Sequence, residues 1–420
     1  MHSKVSSTAP FTPNERNVLL MTGVAHTATH YAELMYPTLA VALASESGIA
    51  LERVLAWSFP GYLLFGLGAL PGGFLADRFG TRRFVLLALA GMALSLTLAG
   101  FSTPGVPLVL CLTALGLAAS LYHPAGMGLI SHAVAARGRG LGINGIFGSA
   151  GVALTPIITA TLTSQVGWRG AFWVGGAVLL AAGLWASRLA VQEHRGESPE
   201  REPAGNAPRG APARLTFALL CVAAMLAGIS YRGNTLAQPA YFAERVSLMG
   251  YGAATSLAFL IGVAGQYCGG LVADRHDLRW SYFLFHLASL PVLLLMAITI
   301  DLPLLGVAGA FTFFSLGMQP IENSLFAALT PARWRSTGYG FKFVCTFGVG
   351  SVAVWLVAWI RPTYGLSRVF VALAAVVALL LVAIAAFAMS TARDDGRYSG
   401  DRSPRGNCHT CHARQSPSAV

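Results

Sequence analysis

Ionised side chains are scarce in this chain. Only 11% of its 420 residues are charged, against about 25% in a typical soluble domain. A folded surface this poor in charge cannot be coated with hydrated groups, so lipid is the natural solvent for most of it. A phosphate-cradling G-x-x-x-x-G-K-[ST] loop is also missing, which argues against ATP-driven work. Cysteine is sparse. Cys111, Cys221, Cys268 and Cys345 lie within apolar runs, where cysteine behaves as a small hydrophobe, and they give no sign of a disulfide framework. The first apolar run follows a polar tail and lacks the charged start and short apolar core of a cleavable signal. It reads as a retained helix.

Hydrophobic residues make up 55% of the chain, and the mean hydropathy is +0.61. Runs of 18 or more apolar residues recur, each long enough to cross about 30 Å of hydrocarbon as a helix. Twelve spans are expected, at 17–43, 53–75, 82–102, 105–130, 139–165 and 169–190, then 215–238, 251–272, 280–300, 303–328, 336–360 and 366–390. The expected fold is an all-α membrane protein, with twelve transmembrane helices in two pseudo-symmetric six-helix bundles. Residues 1–16 form a short tail, 17–190 the first bundle, 191–214 a polar linker, 215–390 the second bundle and 391–420 a disordered tail. The linker is rich in Glu, Arg, Pro and Gly and too polar to enter lipid.

The net charge of +11 would suggest nucleic acid in a soluble protein. Here the basic residues sit in short loops between apolar runs, so membrane topology accounts for them and no nucleic-acid partner is expected. With the amino terminus in the cytoplasm, inner segments hold 21 Lys and Arg and outer loops hold 5. That bias predicts an inner-membrane protein with both termini on the cytoplasmic side.

One loop is especially informative. Gly73-Phe-Leu-Ala-Asp77-Arg78-Phe-Gly80-Thr-Arg82-Arg83 lies between the second and third spans, and a worn copy, Gly270-Leu-Val-Ala-Asp274-Arg275-His-Asp-Leu-Arg279, follows at an offset of 197. Tyr122-His123-Pro124 matches Met318-Gln319-Pro320, and Arg137-Gly-Arg139 matches Arg333-Trp-Arg335, both at an offset of 196. Two six-helix halves related by a parallel repeat are one known transporter plan, with the solute site near the bilayer midplane between them.

These residues resemble the major facilitator superfamily, over about 17–390. The loop motif carries most of the likeness. Tyr122-His123-Pro124-Ala125 and His30-Tyr-Ala-Glu33-Leu-Met-Tyr36-Pro37 look like the branch that includes fosmidomycin-resistance-type exporters. The resemblance implies a proton-coupled secondary transporter of a small organic solute, with export favoured over import and the cavity lined by helices 1 and 7. An uptake symporter of a small organic anion is the alternative, and a metal- or haem-handling membrane protein a third reading. The expected partners are a solute, protons and lipid, with a monomer as the assembly. No enzymatic activity and no cofactor are expected.

The loop acids have a physical reading of their own. Asp77 ends helix 2 near the start of helix 11, where unpaired N–H groups and the helix dipole favour a carboxylate by about 0.3–1 kcal/mol. Asp274 stands in the same relation to helix 5. Gly73, Asp77, Arg78, Gly80, Arg82, Arg83, Asp274 and Arg275 are therefore expected to form a cytoplasmic latch between the halves when the outside is open. The plain alternative is a basic loop that only fixes topology.

Four ionisable residues fall inside spans: Glu33, Arg232, Glu322 and Lys342. Each costs at least about 2.5–3.5 kcal/mol at the bilayer centre unless paired. At 1.5 Å per residue, Glu33 lies roughly 24 Å and Arg232 roughly 25 Å from the cytoplasmic end of their helices. Two layers are expected: an outer Glu33/Arg232 pair and an inner Glu322/Lys342 pair. Protonating one member would release the other, whereas static pairing would serve structure alone.

His26, His30, Glu33 and Pro37 share one face of helix 1, so that face should look into the cavity. The histidines suit a proton relay. They could also share a metal, but no further Cys or His is visibly arranged to complete such a site, and none is assigned. His123 is either a solute contact or a partner of the break at Pro124. Gln319, Asn323, Asn144 and Gln266 are solute donors or polar glue between helices. Gly145, Gly148 and Gly151 with Pro156 make helix 5 bendable and close-packing. Cys408-His-Thr-Cys411-His412 in the polar tail fits a haem-attachment pattern, with adventitious metal binding or no role as the alternatives.

Overall fold

The computed structural model describes residues 10–193, 211–330 and 335–391, and every regular element among them is helical. Hydrocarbon offers the backbone no hydrogen-bond partners, so a spanning segment must satisfy its own N–H and C=O groups, as a helix does. The haem-type motif at Cys408, Cys411 and His412 and most of the 191–214 linker lie outside the described residues.

Numbered by crossing, α1 is Pro13–Ser47. The second crossing, α2, is broken into Leu51–Ala56, Phe59–Leu67 and Ala69–Phe79. Then come α3 (Thr81–Phe101) and α4 (Val106–Ser120 continued by Tyr122–Ala133). Crossings α5 and α6 share the run Arg137–Ser187. The second half holds α7 (Ala211–Arg245), α8 (Tyr251–Arg275), α9 (Leu278–Met296) and α10 (Asp301–Leu329). Crossing α11 runs through Arg335–Phe343, a π turn at Val344–Gly348, a 3-10 turn at Val349–Ser351 and Val352–Tyr364, and α12 is Leu366–Ser390.

Among the described residues, nine helices are long and apolar enough to cross a membrane, ten when the broken α2 counts as one. Two physical points bring the number to twelve. A continuous 50-residue helix would be about 75 Å long, more than twice the hydrocarbon thickness, and the run over 138–187 reverses at Gly167 (φ 71°, ψ 172°). That backbone favours glycine, so the run is two crossings. The other is α1, whose His26, His30 and Glu33 make it too polar for a hydropathy test although it is 35 residues long.

Crossings α1–α6 and α7–α12 form the two bundles, and their outer faces carry exposed leucines such as Leu87, Leu94, Leu98 and Leu379. The turns after α2, α4, α8 and α10 lie at one end, called here the basic end. At the opposite end the halves share one continuous core, with Leu39, Leu43 and Val54 packed in the same cluster as Leu236, Tyr241 and Phe370. At the basic end the second bundle has its own core, built from Leu220, Leu278, Ile321 and Phe387. The halves therefore share a core at the opposite end and have separate cores toward the basic end, where α2 and α11 still touch at Leu70 and Gly340.

The duplicated loop does its clearest structural work inside each bundle. Arg82 donates from Nη2 to the carbonyls of Ser187 (2.9 Å) and Leu189 (3.3 Å), fastening α3 to the end of α6. Its counterpart Arg279 donates from Nη1 to the Thr391 carbonyl at 2.9 Å, fastening α9 to the end of α12. A helix C-terminus leaves carbonyls unpaired and favours a cation. The starts of the same two helices are also covered. Glu193 accepts from Thr81 N (3.2 Å) and Arg82 N (2.5 Å), and Asp277 accepts from Arg279 N (2.9 Å) and Trp280 N (3.3 Å). Burial works against the Asp277 carboxylate, but Arg279 and these N–H groups outweigh it and lower its pKa. In this structure Arg82, one of the expected latch residues, binds within its own bundle.

The bundles touch most closely where Gly66 of α2 meets Gly348 in the π turn of α11, backbone against backbone. A methyl group on Gly66 would overlap the Gly348 amide, and neither is a side chain that can swing away. Overpacking of this kind costs about 1–3 kcal/mol. Gly66→Ala is expected to lower the thermal unfolding temperature in detergent by several degrees; an unchanged temperature would contradict the close approach.

Candidate functional site

A cavity of about 730 Å³ lies between the bundles. Its first-bundle wall includes His26, His30, His123, Asn144 and Ser149, and its second-bundle wall Tyr231, Gln266, Gln319, Asn323 and Lys342. Arg139, Asp274 and Tyr339 also line it, and they sit near the starts of α5 and α11 and the end of α8. The cavity therefore runs from the basic end toward the middle of the molecule.

Its deep end is closed by charge. Arg232 on α7 forms a hydrogen-bonded ion pair with Glu33 Oε1 on α1, and both residues are buried. The pair joins the two bundles. The Arg232 guanidinium lies over the Tyr62 ring, 3.8 Å from its centroid, and the Tyr62 hydroxyl donates to the Glu33 carbonyl at 3.0 Å. A cation over an aromatic face gains about 0.5–2 kcal/mol, more when desolvated. Neither Glu33 nor Arg232 is among the residues that line the large cavity. Two Arg232 donors, Nε and Nη1, are buried without a hydrogen-bond partner.

The second pair lies in the cavity wall. Lys342 Nζ is 2.9 Å from Glu322 Oε1 and donates to Asn323 Oδ1 at 2.5 Å. The Tyr282 hydroxyl donates to Glu322 Oε2 at 2.6 Å, and His286 packs edge-on against Tyr282. Glu322 and Lys342 are both buried, so Lys342 does not reach out to the membrane surface. The two pairs differ in what they join: Glu33 and Arg232 bridge the halves, whereas Glu322 and Lys342 stay within the second.

Three histidines sit on the first-bundle wall. His26 Nδ1 lies 2.8 Å from the Asn144 carbonyl, which only accepts, so this nitrogen carries the proton. His30 Nδ1 lies 3.1 Å from Glu33 Oε2. His123 stacks on Phe343 of α11 with ring centroids 5.1 Å apart, and its Nε2 is buried without a partner. Gly148 and Gly151 bring α5 against α1 beside them; a Cβ on Gly148 would collide with the His26 ring. Tyr122 braces the group by donating to the Thr22 carbonyl at 2.7 Å.

The expected latch residues are apart from one another here. Asp77 and Asp274 are exposed, and among the described residues neither makes an ion pair. Arg275 is exposed too, Arg78 lies over its neighbour Phe79, and Arg83 donates to the Phe79 carbonyl at 3.5 Å. Gly80 takes a positive φ of 108° at the turn, and Gly73 faces Pro124 of its own bundle. Residues 331–334, which lead into α11, lie outside the described residues, and α11 still touches α2 where Gly340 faces Leu70.

Several neighbours escaped the sequence reading. Tyr62 and Tyr231, beside the Glu33 pair, gave no signal in an apolar run. Tyr282 and His286 did give one, since they stand one turn apart on α9. Ser149 gave no signal; it donates to Gln266, named above as a solute donor or polar glue, between α5 and α8 across the halves, a pairing that long-range contact alone could disclose.

These features define an all-helical, multi-pass membrane protein with a cavity between two six-helix bundles. Residues 18–220, just under half of the chain, match the family model for the Major Facilitator Superfamily. The 3-(3-hydroxy-phenyl)propionate transporter of Escherichia coli (strain K12) is 28% identical over 362 residues, 82% of this chain and 87% of that protein. The Methylenomycin A resistance protein of Bacillus subtilis (strain 168) is 32% identical over 149 residues, 34% of this chain and only 32% of that protein's length. Among solved structures, a bacterial homologue of the human lysosomal transporter Spinster superposes with a TM-score of 0.67 at 15% identity, over 93% of this chain and 97% of that one. A POT family transporter in complex with 5-aminolevulinic acid gives 0.73 at 14%, over 88% and 95%. At such identities the likeness concerns the fold alone. The matches do not single out the fosmidomycin-resistance-type branch.

Removing one member of a buried ion pair strands the other and costs about 3–5 kcal/mol, whereas replacing both by apolar groups of similar size is often neutral. Arg232→Met is expected to lower thermal stability sharply, and Glu33→Leu/Arg232→Met to restore most of it. Unfolding temperatures in detergent check this; equal losses in the single and double variants would contradict the pairing.

Proposed function

We propose that the protein is a secondary active transporter that carries a small organic anion through an alternating-access cycle coupled to protons. The observation that carries this reading is the Glu33–Arg232 pair. It joins the two bundles at the closed end of the cavity, and its acid is in contact with His30, a cavity-lining residue. A protonated Glu33 no longer holds Arg232. The bundles can then part at that end, and the guanidinium, which already has two unpaired donors, becomes available to an anionic solute. Loss of the proton restores the pair and displaces the anion.

The outer rim supports the same cycle. Arg361 on α11 reaches Glu52 on α2 at 2.5 Å and Glu244 on α7 at 3.5 Å, and Phe59 packs on Trp355. These partly exposed contacts are weak ones that can break each cycle. The bias of 21 Lys and Arg against 5 supports the inner membrane, both termini in the cytoplasm and a cavity open inward. In this reading Asp77 and Asp274 form the latch only after the cleft closes on that side, and the chain acts as a monomer of bundles 17–190 and 215–390.

Sharing one site between proton and anion favours symport driven by an acidic outside. A transporter named for an organic acid that matches over most of the chain is consistent with it. Efflux, which the sequence put first, is the second reading. The resistance proteins favour it, three matched over about a third of this chain and one over 54%.

Proteoliposomes with an imposed pH gradient and a panel of aromatic and aliphatic acids test the proposal. Accumulation inside when the outside is acidic supports symport; proton-driven extrusion would move the reading to antiport. Glu33→Gln is expected to cut gradient-driven accumulation at least tenfold while solute exchange persists. Full accumulation in that variant would rule out coupling at Glu33, and no response to any gradient would overturn the proposal.

A further inference from the structure

We infer that His26, His30 and His123 form a binding site for a divalent cation of the zinc class at the deep end of the cavity. One ring nitrogen from each lies within 4.8 Å of those of the other two. The inference stands on this geometry and does not depend on the transport reading.

Proton placement makes three ligands of three rings. The His26 Nδ1 proton is committed to the Asn144 carbonyl at 2.8 Å. The His30 Nδ1 proton is directed at the Glu33 carboxylate at 3.1 Å. Each ring is thereby left with a bare Nε2. Fixing the far nitrogen with a carbonyl or carboxylate is the way ligand imidazoles are oriented and made more basic. His123 contributes a buried Nε2 that no protein group satisfies. A buried polar atom left unpaired is costly, and a cation would relieve it.

The donor set defines the ion. Three neutral imidazoles without a thiolate suit Zn2+, Ni2+ or Cu2+ better than Mg2+ or Ca2+, which want oxygen. Zn–N bonds of about 2.0–2.1 Å require the three nitrogens to draw together from their present spacing. His26 and His30 are only partly buried and border the open cavity, so they have room to move. Three protein ligands leave a fourth position, and all three histidines line the cavity, which can supply it. A water, or the carboxylate of a solute, would complete a tetrahedron there and bring negative charge to offset the cation.

The sequence showed only half of this. His26 and His30 stand one turn apart on α1, but His123 comes from α4, beside the helix break at Pro124. The neighbouring Gly148 keeps the site open, because a methyl group at that position would displace the His26 ring.

The test is metal binding by the purified full-length chain carrying Cys408→Ser, His409→Ala, Cys411→Ser and His412→Ala, which removes this tail motif as a competing ligand. Isothermal titration with Zn2+ is expected to give one ion per chain. Co2+ is expected to give the intense visible absorption of a four-coordinate site. His26→Ala, His30→Ala and His123→Ala should each weaken Zn2+ at least a hundredfold, and Gly148→Ala at least tenfold with all three histidines intact. As a check free of folding defects, Zn2+ should protect these three histidines from diethyl pyrocarbonate in the otherwise unsubstituted chain, read by peptide mass spectrometry. Binding that disappears with the tail motif, binding that survives His123→Ala, or an absence of protection would each overturn the inference. Transport driven by a pH gradient is measured separately, so failure of one claim leaves the other standing.

Discussion

The structure turns on one buried ion pair. Glu33 and Arg232 come from different halves of the chain, and each would be a prohibitive charge in lipid without the other. Because they meet across the two bundles, the pair fixes how the halves sit against each other at the closed end. Tyr62 supports it from both sides, by its ring under the guanidinium and by its hydroxyl on the Glu33 backbone. His30 connects it to the cavity. The second pair, Glu322 and Lys342, has a different task. It lies inside one bundle, held by Tyr282 and Asn323, and places polar groups on the cavity wall without joining the halves.

The duplicated loop gives a second view of how the fold is held. Arg82 and Arg279 stand at equivalent places in the two repeats and make equivalent bonds, each to carbonyls at the end of the sixth crossing of its own bundle. The acids that cap the third crossing of each bundle differ in origin. In the second half the cap is Asp277, within the loop; in the first it is Glu193, from beyond α6. The repeat thus preserves the electrostatic requirement, anion at a helix start and cation at a helix end, while the residues that meet it have diverged. This accounts for part of the motif by stability within a bundle.

The glycines set the approach distances that these charges need. Gly66 against Gly348 brings the bundles into backbone contact, and Gly148 against His26 lets α5 lie flat on α1. In a bilayer such contacts replace the hydrophobic drive that holds soluble helices together. The histidine cluster exists because of them: α1, α4 and α5 are close enough for His26, His30 and His123 to share one small space.

Much of this protein was written in one dimension. Apolar runs of spanning length, the spread of Lys and Arg, and a repeat at a nearly constant offset determine twelve helices in two halves, because each depends on local composition or on spacing along the chain. The broken α2 and the turn at Gly167 shift boundaries without changing that plan. The four intramembrane charges were also legible, since any ionisable residue in an apolar run stands out. What the tertiary structure alone decided is how those residues meet. Glu33 and Arg232 are 199 residues apart in the chain, and the rule that buried charges must pair names the need without choosing among partners. His123 joins His26 and His30 only because two crossings pack face to face, and Arg82 serves its own bundle because the end of α6 comes to lie beside it. Composition and periodicity fix which face of a helix is polar; the close packing of one helix on another decides what that face touches.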